Sequence, residues 1–247
     1  MFARLIALTL ALVCAVPAQT ATPGPAWDDR ASMTMSARQA LDALDSLPAD
    51  SPAARSWGAG GGREGWFGQA WEDVDGDGCD TRNEILGRDL KQADYSRRPG
   101  LQGREAGAGQ GAPGCPDATV WSGVLDDPYT GKRITFQRGS GTSTAVQIDH
   151  VVALSNAWQT GAQQLSSEQR QQLANDPLEL LAVDGPANQQ KGDGDAATWL
   201  PSHKPFRCQY IARQIAIKRK YHLWVTSGEK AAMQRVLATC PGQGVPG

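Results

Sequence analysis

Residues 145–158 read AVQIDHVVALSNAW. Ala145, Val146, Ile148, Val151, Val152, Ala153 and Leu154 mark a core segment, yet Asp149 and His150 stand side by side in its middle. Burying a carboxylate and an imidazole without partners is costly. The pair therefore reads as a polar break between a strand over Thr144–Asp149 and a helix over Ser155–Gly161. Adjacent residues on a flat strand point to opposite faces. If both side chains are to converge on one point, the strand must end and bend there.

Working outward, the segments on either side differ in texture. Thr119–Leu125 and Arg133–Gln137 are β-like and flank DDPYTGK (126–132), whose Asp, Pro and Gly are turn residues. Gly139-Ser140-Gly141 breaks the chain before the opening stretch. After it come a helix over Ser166–Ala174, a short apolar run over Leu178–Val183, and GPANQQKGDGD (185–195), a polar loop or weak helix start. Phe206–His222 and Ser227–Cys240 have the clearest helical patterns. Upstream, Ser36 with Gln39 forms a capping box for a helix over Ser36–Leu47. Residues 48–65 are loop, Asn83–Gln92 is helical, and Pro99–Pro116 is a long Gly- and Gln-rich loop. Helix, then strands, then helices fits an α+β fold.

The chain has 247 residues. Met1–Arg4 is a short basic start and Leu5–Val16 is apolar but too short to span a bilayer. Val16-Pro17-Ala18 is a small-residue cleavage site, so residues 1–18 read as a secretory signal peptide. That predicts a secreted or periplasmic protein with no membrane attachment after cleavage. Residues 19–62 are expected to hold a mobile tail, one helix and a linker, residues 63–240 the main domain, and 241–247 a C-terminal tail.

Cleavage removes Cys14 and leaves Cys79, Cys115, Cys208 and Cys240, an even number that suits disulfides in an exported chain. The last two helices are joined by a short link, so they are antiparallel neighbours. Cys208 and Cys240 then lie at adjoining ends, and Cys79 pairs with Cys115 by elimination. No two cysteines are two to four residues apart, which argues against zinc. Net charge is −2, which excludes a bulk polyanion binder. Residues 196–228, however, contain no acid, while Lys204, Arg207, Arg213, Lys218, Arg219 and Lys220 suggest a local basic footprint. A solvated helix surface accounts for the same charges equally well.

The opening pair is followed by Asn175, within NDPLELL, and by Asn188, Lys191 and Asp193, within ANQQKGD. This ordered series resembles the His-Asn-His (HNH) nucleases of the ββα-metal superfamily. It is most similar to an exported branch related to the C-terminal domain of GmrSD-type modification-dependent restriction endonucleases. The resemblance runs through DGDGCDTRNEIL (75–86), DPYTGKRITF (127–136), STAVQIDHVVALSNAW (143–158) and NDPLELLAVDGPANQQKGDGDAATWLP (175–201). It implies a ββα-metal core with flanking helices. It also implies His150 as general base, Asp149 and Asn188 as metal ligands, Asn175 as a loop brace, and Lys191 near the substrate backbone. The third position is Asn and not His, which favours one magnesium or manganese ion over zinc. The chemistry agrees with these roles. An imidazole with a pKa of roughly 6.5 accepts a proton from water near neutral pH, and a hard cation stabilises charge on phosphate oxygens.

A second pattern lies at DVDGDGCDTRNE (73–84). Asp73, Asp75, Asp77, Gly78 and Glu84 have the spacing of an EF-hand calcium loop. Against calcium, the preceding GWFGQAWE is glycine-broken and Cys79 would form its disulfide from inside the loop. The alternative is an acidic turn after which Thr81-Arg82-Asn83-Glu84 starts a helix. Arg82 could then reach substrate phosphate or pair with a carboxylate. The leading expectation is a monomeric, exported, metal-dependent endonuclease acting on DNA, with RNA left open. The rival is a calcium-stabilised, non-catalytic nucleic-acid-binding module. Another exported hydrolase has little support, since neither Gly-x-Ser-x-Gly nor His-Glu-x-x-His occurs.

Overall fold

A computed structural model describes residues 33–35, 37–49, 56–74, 79–97, 118–240 and 245–246. The elements in chain order are β1 (Met33–Met35), α1 (Ala37–Ser46), α2 (Gly62–Phe67), α3 (Thr81–Asp89), β2 (Lys91–Arg97), β3 (Ala118–Asp126), β4 (Arg133–Gln137), β5 (Val146–His150), α4 (Leu154–Gln159), α5 (Ser167–Ala174), β6 (Leu180–Asp184), α6 (Gly185–Lys191), α7 (Arg207–Lys220), α8 (Ser227–Leu237) and β7 (Val245–Pro246). The fold is α+β. Strands β2, β3 and β4 form one antiparallel sheet, β5 and β6 an antiparallel pair, and β1 and β7 another.

The β5–β6 pair is the centre of the molecule because both of its faces are covered. Val146, Ile148, Leu180 and Ala182 pack with Ile85, Leu86, Val120 and Phe136, between α3 and the three-stranded sheet. Leu181 and Val183 face the other way, into a core made by α1, α7 and α8. This explains LLAV (180–183), a continuous apolar run where a half-exposed strand would alternate. A third cluster joins Phe67 of α2 to Trp158 and Leu173 of α4 and α5. Helices α1 and α2 therefore each pack into one of these cores. Residues 1–18 lie outside the described residues. Among those described, no helix is long and apolar enough to cross a membrane.

Local capping sets several boundaries. Ser166 with Gln169 and Thr226 with Glu229 form capping boxes at the starts of α5 and α8. Asp80 accepts from the Asn83 backbone N–H at 2.9 Å and starts α3 at Thr81, two residues earlier than its apolar pattern suggests. That helix also ends earlier than expected. Leu90 is extended and the chain continues as β2, so Lys91 and Gln92 are strand residues. GPANQQK, expected as loop or weak helix start, is the helix α6. Asp184 accepts from Ala187 N–H at 2.9 Å, and Pro186 suits the first turn. A Cβ on Gly185 would collide with the Thr144 carbonyl oxygen, so glycine lets α6 start hard against the segment entering β5.

Cys208 and Cys240 are bonded, with Cα atoms 5.9 Å apart, as the antiparallel helices require. Cys79 is also disulfide-bonded, but Cys115 lies outside the described residues. Beneath the second core Lys218 is fully buried. Its ammonium lies 3.0 Å from Glu229 Oε1 and donates to the Trp224 carbonyl oxygen at 3.1 Å and Asn156 Oδ1 at 3.2 Å. Lys218→Ala strands the Glu229 carboxylate in the core. Chemical denaturation should show a stability loss of about 3–5 kcal/mol.

Candidate active site

Strand β5 brings the opening pair to the centre of the fold, and its contacts alternate as a strand requires. Gln147 and Asp149 face α6. Asn188 Nδ2 donates to Gln147 Oε1 at 3.0 Å, and Lys191 Nζ donates to Asp149 Oδ1 at 2.9 Å. Positions i and i+2 of the strand thus meet i and i+3 of the helix. His150 faces the opposite side, where its ring stacks beside Trp71 with centroids 6.1 Å apart and planes at 19°. The expected bend between Asp149 and His150 is absent. His150 is still paired in register with Leu180, and the strand ends after it. Two-sided burial of β5 holds the strand regular, so the expected convergence of Asp149 and His150 does not occur.

His150 is held by a backbone acceptor. Its Nε2 lies 2.9 Å from the Ala174 carbonyl oxygen, which cannot donate. Nε2 therefore carries the proton, and Nδ1 has the free lone pair. Burial, and next the positive charge of Arg63, push the imidazole pKa down to about 3, so it is neutral at physiological pH. Asn175 follows Ala174 directly. Its Nδ2 donates to the Gln171 carbonyl oxygen at 2.9 Å, which ties the end of α5 together next to the carbonyl that orients His150. Its buried Oδ1 has no hydrogen-bond partner among the described residues.

Asp149 is enclosed, with 5% of its surface exposed. Tyr129 Oη donates to its Oδ2 and Lys191 to its Oδ1. Burial pushes the carboxyl upward from its ordinary value, and the bonds from Lys191 and Tyr129 oppose that push. Lys191 is itself 3% exposed and also donates to the His150 carbonyl oxygen at 2.6 Å. So placed, Lys191 turns its charge to Asp149 inside the fold. A lysine beside a buried carboxylate is retained as its counter-ion.

The same contacts test the expected metal. Asp149 and Asn188 would supply one carboxylate and one amide oxygen. Both oxygens of Asp149 are engaged, and Lys191 already neutralises it. The arrangement does not fit a divalent ion on Asp149 while Lys191 stays, and no step is derived through one. Among the described residues no three His, Cys, Asp or Glu side chains cluster as a metal site. For the calcium pattern, Asp75 and Asp77 lie outside the described residues. Glu84 is in the first turn of α3, which Asp80 caps. Arg82, on the same helix, stands over the Phe136 ring at 5.9 Å, near Arg138. Among the described residues no ion pair joins it to a carboxylate, although the Asp80 charge acts on it.

The basic footprint expected over 204–220 is also reduced. Arg213 is buried and donates to the Leu178 carbonyl oxygen at 2.7 Å, and Lys218 is the core lysine described above. Lys220 reaches Asp176 at 2.6 Å. Side chains that sequence reasoning missed include Tyr129, Glu179, Trp71 and Arg63. Glu179 is fully buried and both its oxygens face the Val152 backbone N–H, at 3.1 and 3.2 Å. Burial pushes its carboxyl well up. Its signal was present in the sequence: an acid inside the apolar run 178–183 is as anomalous as Asp149 in its own stretch.

Residues 117–236 match the family model of the GmrSD restriction endonucleases, C-terminal domain. An uncharacterized secreted protein of Arthroderma benhamiae is 41% identical over 121 residues. That alignment covers 48% of this chain and 56% of the relative, so it spans little more than half of that protein. No solved structure matches the chain. The matched segment contains Tyr129, Asp149, His150, Asn188 and Lys191, whereas Arg63, Trp71 and Arg82 lie outside it.

Proposed function

We propose that the chain is a secreted endonuclease that hydrolyses phosphodiester bonds of DNA with His150 as its general base, a reading that starts from the match of residues 117–236 to the GmrSD C-terminal domain model. The family supports a nuclease-related function and a nucleic-acid substrate, and the secreted relative supports export. In this proposal β5, β6 and α6 are the ββα core, interrupted by α4 and α5. One observation carries the role of His150. Its Nε2–H is bound to the Ala174 carbonyl oxygen, so Nδ1 is the basic atom, and the ring is neutral.

The chemistry follows from that tautomer. A water beside Nδ1 loses its proton to the imidazole as its oxygen attacks phosphorus; the P–O3′ bond breaks, and the departing 3′ oxygen takes a proton from solvent. The imidazolium so formed keeps its Nε2–H bond to a carbonyl dipole, which stabilises the new charge. A pKa of about 3 guarantees a neutral base but a weak one. A bound phosphodiester is an anion, so its arrival raises the imidazole pKa and strengthens the base when it is needed. Asp149, Lys191 and Tyr129 act below the strand, fixing β5 against α6.

The test is a plasmid-cleavage assay on the mature protein across magnesium, manganese, calcium and EDTA. Loss of supercoiled plasmid in at least one metal condition is expected; intact plasmid in all of them contradicts the proposal. Activity that EDTA abolishes would mean that the working ion sits elsewhere or that Lys191 leaves Asp149 when it binds.

A further inference from the structure

Arg63 lies on α2, some ninety residues before His150 in sequence and outside the family segment. Its guanidinium carbon is 4.7 Å from the centre of the Trp71 ring, and that ring stacks on His150. Arginine, tryptophan and histidine thus form one column. The column is anchored at its base. Phe67 of α2 is buried, Trp66 stacks on Trp158 with centroids 4.0 Å apart, and Arg170 Nε donates to the Trp66 carbonyl oxygen at 2.6 Å. Trp71 has a backbone φ of +62°, in the left-handed region that a bulky residue rarely adopts. Such strain persists only where surrounding contacts impose it and clusters at functional sites.

Apart from Arg82, which stands over the Phe136 ring, Arg63 differs from the other enclosed arginines. Arg88, Arg138, Arg170, Arg207 and Arg213 each donate to carbonyl or carboxylate oxygens inside the protein. Among the described residues Arg63 has no ion pair and no hydrogen-bond acceptor; its partner is a ring face. A guanidinium held over a ring face, with no oxygen acceptor of its own, keeps N–H donors for two oxygens of a phosphate. Half-buried and unpaired, it has lost hydration without gaining an acceptor.

We propose that Arg63, carried on Trp71, binds a backbone phosphate of the nucleic acid beside His150, so that the segment before the family domain completes the site. The proposal rests on the nuclease reading above.

The test uses His150→Ala as a non-cleaving parent and a fluorescein-labelled single-stranded DNA of about 16 nucleotides. Anisotropy is followed from about 25 to about 200 mM salt. Adding Arg63→Ala should weaken binding about tenfold or more and reduce the salt slope by about one. Arg63→Lys should restore the slope but only part of the affinity, since lysine lacks the bidentate fork. Thermal melts of both variants show whether the fold is retained. Equal affinity and slope for parent and Arg63→Ala, or no binding by the parent, overturns the proposal. A wild-type protein that cuts plasmid while Arg63→Ala binds normally defeats this inference alone, whereas one that cuts nothing defeats the nuclease reading.

Discussion

His150→Ala should slow plasmid cleavage by about 10²–10⁴-fold, the usual contribution of a positioned general base. That corresponds to roughly 3–5 kcal/mol of transition-state stabilisation. The fold should survive, because the ring contributes one hydrogen bond, to the Ala174 carbonyl oxygen, and a stack on Trp71. Circular dichroism and a thermal melt separate lost chemistry from lost structure. The pH dependence is a second handle. The folded pKa lies below the unfolded one, so the stability from a neutral His150 is fully present above about pH 6.5. It falls away as pH drops from there towards about 3. Between pH 8 and pH 5, protonation of His150 in the free protein should therefore not limit the rate.

Lys191→Met should cost stability on the same scale as Lys218→Ala. It removes the ammonium from Asp149 Oδ1 and from the His150 carbonyl oxygen, in a place almost closed to water. Breaking a buried pair by removing one partner costs about 3–5 kcal/mol, because the remaining charge is uncompensated. Asp149 then binds a proton in the folded state, and the loss should be smaller at acid pH. In Lys191→Met, Asp149 and Asn188 are also left without a competing cation. Manganese or magnesium should raise the melting temperature of the variant more than that of wild type. A variant as stable as wild type in EDTA would show that Lys191 is no counter-ion.

Parts of this arrangement were legible in the sequence for physical reasons. The Asp149-His150 pair announced itself because charged and polar groups inside an apolar run need partners. Cys208 and Cys240 were readable because a short link makes two helices antiparallel. The strand β6 could be seen as a continuous apolar run. What escaped was whatever depends on distant pairing. The polar strand β2 exists through its bonds to β3, across a long separation, and its first residues, Lys91 and Gln92, read as the end of a helix. The helix α6 is held by a cap, a proline and a glycine that tolerates contact with Thr144. Lys191 and Lys218 look like surface lysines until their carboxylates, 42 and 11 residues away, close over them. Arg63 and Trp71 carry no motif, and only the folded chain sets them beside His150.

The two faces of β5 also reshape the expected site. A strand covered on both sides cannot turn both members of the pair to one point. Asp149 serves the packing of α6, and His150 faces the column of Trp71 and Arg63. Chemistry and structural support are thus divided between neighbouring residues.

The most direct measurement is the rate of plasmid cleavage by wild type and His150→Ala, run side by side from pH 5 to pH 8 in the best metal condition. The account predicts cleavage by wild type with no acid limb from His150 in that range, and rates about 100-fold or more lower for the variant at every pH. Equal rates for the two proteins would contradict it.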